Sequence, residues 1–121
     1  LGITNTITLI EGLTIGAKSG IGLQTMLDVL RKSSGASAAV DLRVPRIIEG
    51  DFKPGGTVDI VYKDQELITA YAKQLGVPTL MANVSQQVYQ MARTAGLNKE
   101  DSSAVVKIYE NLADVKVVGR K

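Results

Sequence analysis

The chain contains neither cysteine nor histidine. Without cysteine there is no disulfide and no thiolate nucleophile, and without histidine a His-based catalytic triad and most zinc or transition-metal sites are excluded. Acid–base or nucleophilic chemistry is left to carboxylates and to lysine, tyrosine, serine and threonine. We therefore expect no metal site, and the lack of disulfides favours a cytoplasmic location.

Aromatic residues are also scarce, at 4% of the chain, with one phenylalanine, four tyrosines and no tryptophan. Leucine, isoleucine, valine, alanine and methionine must then form the core, which favours closely packed helices. The fourteen basic and twelve acidic residues are dispersed along the chain and sum to +2. Because no basic block stands out, we expect no nucleic-acid partner.

No long uninterrupted apolar run is present. The chain begins at Leu1 with an apolar stretch that lacks the basic segment and cleavage site of a signal peptide. Thr4, Asn5 and Glu11 interrupt it, whereas a membrane span needs about 20 mostly apolar residues. We expect a buried core helix, no membrane partner and, because Leu1 replaces an initiator Met, a piece of a longer protein.

Apolar periodicity and Gly/Pro punctuation predict an all-α domain of about six helices spanning residues 1–121. The predicted helices cover about 3–17, 23–31, 36–42, 57–75, 78–96 and 101–112. The first has apolar residues around most of its circumference, so we expect neighbours on several sides. Gly12 and Gly16 on it are interpreted as tolerated small residues, not as a dimer seam.

Several helix ends are also predicted. A serine of the Ser33-Ser34-Gly35 turn should cap the third helix, and Pro45 should end or kink it. Pro78 should occupy the first turn of the fifth helix, and Asn98 or Asp101 should cap the last. The fifth helix should carry a row of apolar residues on one side: Leu80, Met81, Val84, Val88 and Met91.

One Lys-Asp pair on the fourth helix is a candidate site. Lys63 has Asp59 one turn before it and Glu66 nearly one turn after it, which on spacing alone indicates a solvated ion-pair cluster. Asp64 is different, because its neighbours three and four residues away are apolar: Ile60, Val61, Leu67 and Ile68. We expect Asp64 to be a buried anchor that directs Lys63, since an unpaired buried carboxylate is costly.

Two loops are further candidates. Phe52, the only Phe, lies in the Gly/Pro-rich loop 51–56, where it either packs the loop onto the core or lines a pocket. Residues 33–35 could present backbone N–H groups to an anion, although ordinary capping is the favoured interpretation. No dinucleotide fingerprint, P-loop or paired-carboxylate motif occurs, so we expect no tightly bound cofactor on this chain alone.

Three segments, Ser33–Gly35, Arg43–Pro54 and Lys63–Asp64, together resemble the C-terminal helical domain of the β-hydroxyacid dehydrogenases. This family includes 3-hydroxyisobutyrate dehydrogenases and tartronate semialdehyde (2-hydroxy-3-oxopropionate) reductases, and its helical domain is similar to that of 6-phosphogluconate dehydrogenase. The resemblance implies an N-terminal Rossmann domain outside this chain, NAD or NADP as cofactor, a short 3-hydroxy acid as substrate, and a homodimer or larger assembly.

The resemblance also implies roles for residues. Lys63 matches the lysine of the family's K-D-L segment, which reaches the nicotinamide cofactor, although Gln65 stands where Leu is usual. Phe52 matches an aromatic residue of the loop bordering the cleft, and Asp64 is a supporting residue of the same cleft. Gly56 and Ala36 replace a Phe and a frequent Arg of the family, which leaves the exact substrate open.

The family's catalytic Lys, and the Asn four residues after it, would precede Leu1 when Glu11 and Gly20 are aligned with the family pattern. The chain should then contain no catalytic residue and be inactive when isolated. The alternative hypothesis is a stand-alone helical dimerisation or interaction module without catalysis.

Overall fold

The computed structural model describes all residues, Leu1–Lys121, and contains six α-helices and no strand. The helices are α1 (Gly2–Lys18), α2 (Leu23–Leu30), α3 (Ala38–Glu49), α4 (Val58–Gln74), α5 (Leu80–Thr94) and α6 (Val106–Ala113). A 3₁₀ turn, Ser102–Val105, leads directly into α6. The predicted fold class is confirmed.

Helix α1 is the centre of the domain. It packs against α2, α3, α5 and α6, and its residues Ile10 and Leu13 are completely buried. A Cβ added at Gly16 would lie 2.3 Å from the sulfur of Met26 on α2, whereas one at Gly12 would meet nothing within 4 Å. The expectation that α1 has neighbours on several sides is confirmed.

Helix α3 differs from its predicted bounds. It begins at Ala38 and continues through Pro45 to Glu49, where Gly50 ends it with a left-handed φ of 68°. The expectation that Pro45 would end the helix is wrong, because Val40, Val44 and Ile47 bury one continuous face on both sides of the proline. Burial of these side chains offsets the hydrogen bond that proline cannot make.

Two predicted helix starts are also wrong. The N-cap of α3 is Ser37 and not a serine of the 33–34 turn, and its side chain accepts no hydrogen bond from the helix. Helix α5 begins at Leu80, after the N-cap Thr79, so Pro78 precedes the helix instead of forming its first turn. By contrast, Gly76 follows the end of α4 with φ 70°, as the predicted stop requires.

Helices α4 and α5 form a hairpin that buries several polar side chains together with apolar ones. Helix α5 lies between α1 and α4, and α4 packs mainly on α5. The buried positions between them include Gln65, Thr69, Ser85 and Gln86. The apolar row predicted on one side of α5 faces solvent for most of its members, since Leu80, Met81 and Val84 are 76%, 64% and 58% exposed.

We define the hairpin face as the ten large apolar residues that α4, α5 and their connection expose. They are Ile60, Leu67, Ile68, Tyr71, Leu75, Val77, Leu80, Met81, Val84 and Met91. None of the helices has the length and apolarity needed to cross a lipid bilayer.

Candidate functional site

A single buried carboxylate organises the loop that leads into α4. Asp101 is completely buried and accepts hydrogen bonds from two arginines of α3, Arg43 at 3.3 Å and Arg46 at 3.1 Å. It also accepts the backbone N–H groups of Gly55 and Gly56 at 3.2 and 3.3 Å. The backbone N–H of Ser103 at 3.0 Å and the Ser103 hydroxyl complete the set. Every lone-pair direction of this carboxylate is therefore used.

Asp101 stays ionised despite its burial. Burial is the largest single influence on the pKa of Asp101 and raises it, but the hydrogen bonds from Ser103 and Gly56 and the charge of Arg43 together outweigh it. The pKa of Asp101 is thus lowered from its ordinary value. The loop before α4 is therefore held by the buried Asp101 carboxylate, whose hydrogen bonds and ion pairs offset the cost of burying its charge.

The loop carries Phe52 in a fixed position. The Phe52 carbonyl accepts the Asp101 N–H at 3.0 Å, and the Lys53 carbonyl accepts from Arg46 at 2.6 Å. The half-buried Phe52 ring packs against the core, with the Lys107 ammonium 4.6 Å from its centroid. Of the two alternatives for Phe52, the structure supports packing of the loop onto the core.

The sequence suggested Asp101 only as a cap, and this part is confirmed because its side chain accepts from the Ser103 N–H. Its larger role was missed. Arg43 and Arg46 lie three residues apart on α3, a spacing at which both can pair with one acid. Asp101 is more than fifty residues away in the chain, so the sequence alone does not identify it as that acid.

Lys63 projects into solvent from the second turn of α4. Its side chain is 66% exposed, and its ammonium lies 3.8 Å from the carboxylate of Asp64, which is 51% exposed. The expected burial of Asp64 is wrong, because the apolar residues around it, such as Leu67 at 64%, belong to the exposed hairpin face. Lys63 therefore stands as an accessible cation beside an apolar surface.

The ion-pair cluster expected around Lys63 forms around Asp59 instead. Asp59 pairs with Arg93 of α5 at 2.9 Å, accepts from Asn98 at 3.1 Å and lies 3.7 Å from Lys99. Desolvation raises the pKa of Asp59, but Asn98, Arg93 and Lys99 together leave it below its ordinary value. This cluster joins the start of α4 to the end of α5 and leaves Lys63 free of it.

The turn at residues 33–37 makes local contacts. Ser33 Oγ donates to the Leu30 carbonyl at 3.0 Å and accepts the Gly35 N–H at 3.1 Å, so it closes the turn after α2 and does not cap α3. The turn borders a cavity of about 410 Å³ between α1 and α2, into which Asn5 and Thr8 also face. Of the predicted site residues, the structure brings together only Lys63 and Asp64.

Known proteins match this chain over most of its length. Residues 1–109 match the family described as "NAD-binding of NADP-dependent 3-hydroxyisobutyrate dehydrogenase". 2-(Hydroxymethyl)glutarate dehydrogenase from Eubacterium barkeri is 36% identical over 116 residues, which are 95% of this chain and 38% of that protein. L-threonate dehydrogenase from Escherichia coli K12 is 35% identical over 102 residues, 84% of this chain and 34% of that protein.

Among solved structures, 3-hydroxyisobutyrate dehydrogenase from Salmonella typhimurium superposes with a TM-score of 0.85 at 34% identity. The superposition covers 89% of this chain and 38% of that one. The chain therefore spans well under half the length of the relatives it matches. The family match and the shared fold show that this chain belongs to the β-hydroxyacid dehydrogenase family and has the fold of its helical domain.

Proposed function

We propose that this chain is the C-terminal helical domain of an NAD(P)-dependent oxidoreductase that acts on a short-chain 3-hydroxy acid of the 3-hydroxyisobutyrate or tartronate semialdehyde type. The observation that carries the proposal is Lys63. It is an exposed ammonium on the helix that follows the Asp101-anchored loop, at the position of the lysine that reaches the cofactor in this family.

In this proposal Lys63 donates hydrogen bonds to the nicotinamide cofactor across the cleft to a Rossmann domain. Asp64, 3.8 Å away, limits the directions in which the ammonium points. The loop that Phe52 packs onto the core borders the same cleft, and the hydrogen bond from the Asp101 N–H to the Phe52 carbonyl holds this loop. The cofactor supplies the hydride chemistry, and the general acid–base lysine with its asparagine belongs to the segment before Leu1.

The test is Lys63→Ala in the longer protein that contains both domains. Losing a hydrogen bond from a charged donor should weaken NAD(P)H binding or lower kcat/KM by about tenfold or more. The melting temperature should stay nearly constant, because the side chain is two-thirds exposed and its only ion pair is with Asp64. Fluorescence titration of NAD(P)H and steady-state rates measure the first effect, and thermal denaturation measures the second.

Lys73→Ala is the matched control, since Lys73 lies at the far end of the same helix and is also exposed. It should leave both cofactor affinity and rate unchanged. If Lys63→Ala has no larger effect than Lys73→Ala, Lys63 is not part of the cofactor site.

The hairpin face favours a second element of the proposal, self-association as a homodimer. Its ten residues are each between 42% and 76% exposed. A stable interface needs about 800 Å² from each partner, and exposed apolar residues of this number are suited to contribute to it. Such an apolar patch is unusual on a monomer.

The alternative function is a stand-alone dimerisation module, which also uses the hairpin face. The two functions differ in what the longer protein does. A dimer that binds neither NADH nor NADPH when all of its domains are present would support the module, whereas cofactor binding that depends on Lys63 would support the dehydrogenase.

A further inference from the structure

Two adjacent glycines in the loop before α4, Gly55 and Gly56, have different surroundings. A Cβ added at Gly55 would lie 3.0 Å from Arg46 Nη1 and 3.1 Å from Asp101 Oδ2. Packing explains this glycine, because a side chain there would press on the ion pair between Arg46 and Asp101. A Cβ added at Gly56 would meet no atom within 4 Å. Position 56 therefore has room for a side chain.

The backbone does not require glycine at position 56 either. The glycines with positive φ, which a side chain would strain, are Gly20, Gly50, Gly76, Gly96 and Gly119. Gly56 is not among them, so other residues can adopt its φ. Because glycine loses the most conformational freedom on folding, it lowers stability wherever another residue fits. Gly56 therefore lowers the stability of the chain without a local structural reason.

Two hydrogen bonds fix the direction in which a side chain at position 56 would point. The Gly56 N–H donates to Asp101 Oδ2 at 3.3 Å, and the Gly56 carbonyl accepts the Ser102 N–H at 2.8 Å. The next residue, Thr57, caps α4 by accepting the Ile60 N–H. Because the backbone is held on both sides, a side chain at position 56 would enter a defined space that no other residue of the chain occupies.

This space lies in the segment that the proposed function assigns to the cleft. Gly56 follows Phe52 by four residues and precedes Lys63 by seven. In the proposed function, the loop of Phe52 borders the cleft and Lys63 binds the cofactor across it. The family pattern usually has a Phe at position 56. Glycine thus leaves one wall of the cleft without a bulky side chain.

We propose that Gly56 enlarges the substrate pocket of this cleft. The preferred substrates are then 3-hydroxy acids whose carbon 2 carries an alkyl group longer than the methyl group of 3-hydroxyisobutyrate, because that group fills the space beside Gly56 and loses water there. The inference rests on the proposed function, since the pocket is complete only with a Rossmann domain. Gly56 determines specificity in this proposal and takes no part in the chemistry.

Thermal denaturation of the chain tests the structural premise. Gly56→Ala should raise the melting temperature by a few degrees, because alanine fits the site and restricts the unfolded chain. Gly55→Ala, the matched control, should lower the melting temperature, because its Cβ would crowd Arg46 and Asp101. A lower melting temperature for Gly56→Ala would show that the fold needs this glycine and would overturn the proposal.

Substrate preference is measured in the longer protein that contains both domains. Three acids differ only in the alkyl group at carbon 2: 3-hydroxyisobutyrate with methyl, 2-(hydroxymethyl)butanoate with ethyl and 2-(hydroxymethyl)pentanoate with propyl. In each, the alcohol is oxidised to the aldehyde, its hydride passes to NAD⁺ or NADP⁺, and its hydroxyl proton is released through the general base. The kcat/KM for the propyl acid should exceed that for the methyl acid by about tenfold.

Gly56→Phe should remove this preference. The ring fills the space beside position 56, so the propyl-to-methyl ratio of kcat/KM should fall about tenfold or more. Calorimetry with NADH or NADPH present, where no oxidation occurs, should show the same loss of affinity for the propyl acid and no change in affinity for the reduced cofactor. Gly12→Phe, at a glycine of α1 whose added Cβ also meets nothing within 4 Å, should keep the ratio of the unmodified protein.

Two kinetic results would also overturn the proposal. One is a kcat/KM for the methyl acid equal to or above that for the propyl acid in the unmodified protein, and the other is an unchanged ratio in Gly56→Phe. Both leave the proposed dehydrogenase function intact, because the acids are still oxidised. Oxidation of none of the three acids would count against the proposed function itself, and this inference would fall with it.

Discussion

The region around Asp101 and the hairpin face both depart from the usual distribution of polar and apolar groups, in opposite directions. Asp101 is a charge with no exposed surface, and the hairpin face exposes ten large apolar side chains. The charge is compensated inside the chain by two arginines and four further donors. The apolar face has no covering element within the chain, and the proposed homodimer would cover it.

The difference indicates what each region is for. A carboxylate that bonds α3, the loop before α4 and the turn before α6 fixes their relative positions, which a nonspecific apolar contact would do less well. The exposed apolar side chains of the hairpin face can lose water only by contact with another surface. The first region therefore stabilises the domain, and the second is the surface proposed for self-association.

Removing the Asp101 carboxylate should have the largest effect. Asp101→Ala leaves the guanidinium groups of Arg43 and Arg46 without their shared buried partner, which typically costs about 3–5 kcal/mol of unfolding free energy. Urea denaturation at neutral pH measures the loss. Asp51→Ala removes a 40% exposed acid that also pairs with Arg46, and should cost less than about 1 kcal/mol. Equal losses for the two variants would mean that Asp101 is not the organising group.

Low pH should lower the unfolding free energy through the same carboxylate. The pKa of Asp101 is lowered in the folded chain, so its ionisation stabilises the fold at pH values above the unfolded-state pKa, near 3.8. That contribution is lost as the pH falls from this value through the folded-state pKa. The unfolding free energy should therefore decrease below about pH 4, and Asp101→Asn should show a shallower decrease. Parallel pH profiles for the two proteins would contradict this assignment.

Charge on the hairpin face should separate the partners and leave the fold intact. Leu67→Asp combined with Tyr71→Asp places two carboxylates among residues that are 64% and 62% exposed. Surface changes of this kind usually alter stability by less than about 0.5 kcal/mol each. Analytical ultracentrifugation should show monomer for this double variant and dimer for Lys73→Asp, which adds charge on another side of α4. Persistence of the dimer in the double variant would exclude the hairpin face as its interface.

Sequence reasoning succeeded where the determinants are local. Helix periodicity and the stop at Gly76 depend on neighbouring residues, and both are found in the structure. It failed where contacts between distant segments determine which side of a helix is buried. Periodicity identified an apolar row on α5 but could not show that α1 and α4 cover the opposite side, and the same omission placed Asp64 in the interior.

The candidate site shows the same limit. Lys63 and Phe52 could be proposed from the sequence because a family motif carries them. The contacts that position Phe52 could not, because Asp101 lies far away in the chain from both the loop and the two arginines of α3. Pro45 inside α3 was unexpected for a related reason, since its cost is offset by core contacts that propensity does not include.

The smallest change in unfolding free energy is expected at Gln65, a buried polar residue of α4 whose hydrogen-bonding groups are only partly satisfied. It is 2% exposed, and its Nε2 donates to Ser85 Oγ at 2.5 Å, but its Oε1 has no partner. Gln65→Leu, which restores the residue usual in the family, removes the unsatisfied oxygen and keeps the volume. Ser85 retains its contacts with Thr4 and the Ala82 carbonyl. Urea denaturation should therefore detect a change of no more than about 1 kcal/mol in either direction.

Gln65→Ala should cost more, because it leaves a cavity between α4 and α5. A loss in Gln65→Leu as large as that of Asp101→Ala would show that the hairpin interior depends on its polar contacts as strongly as the Asp101 region does.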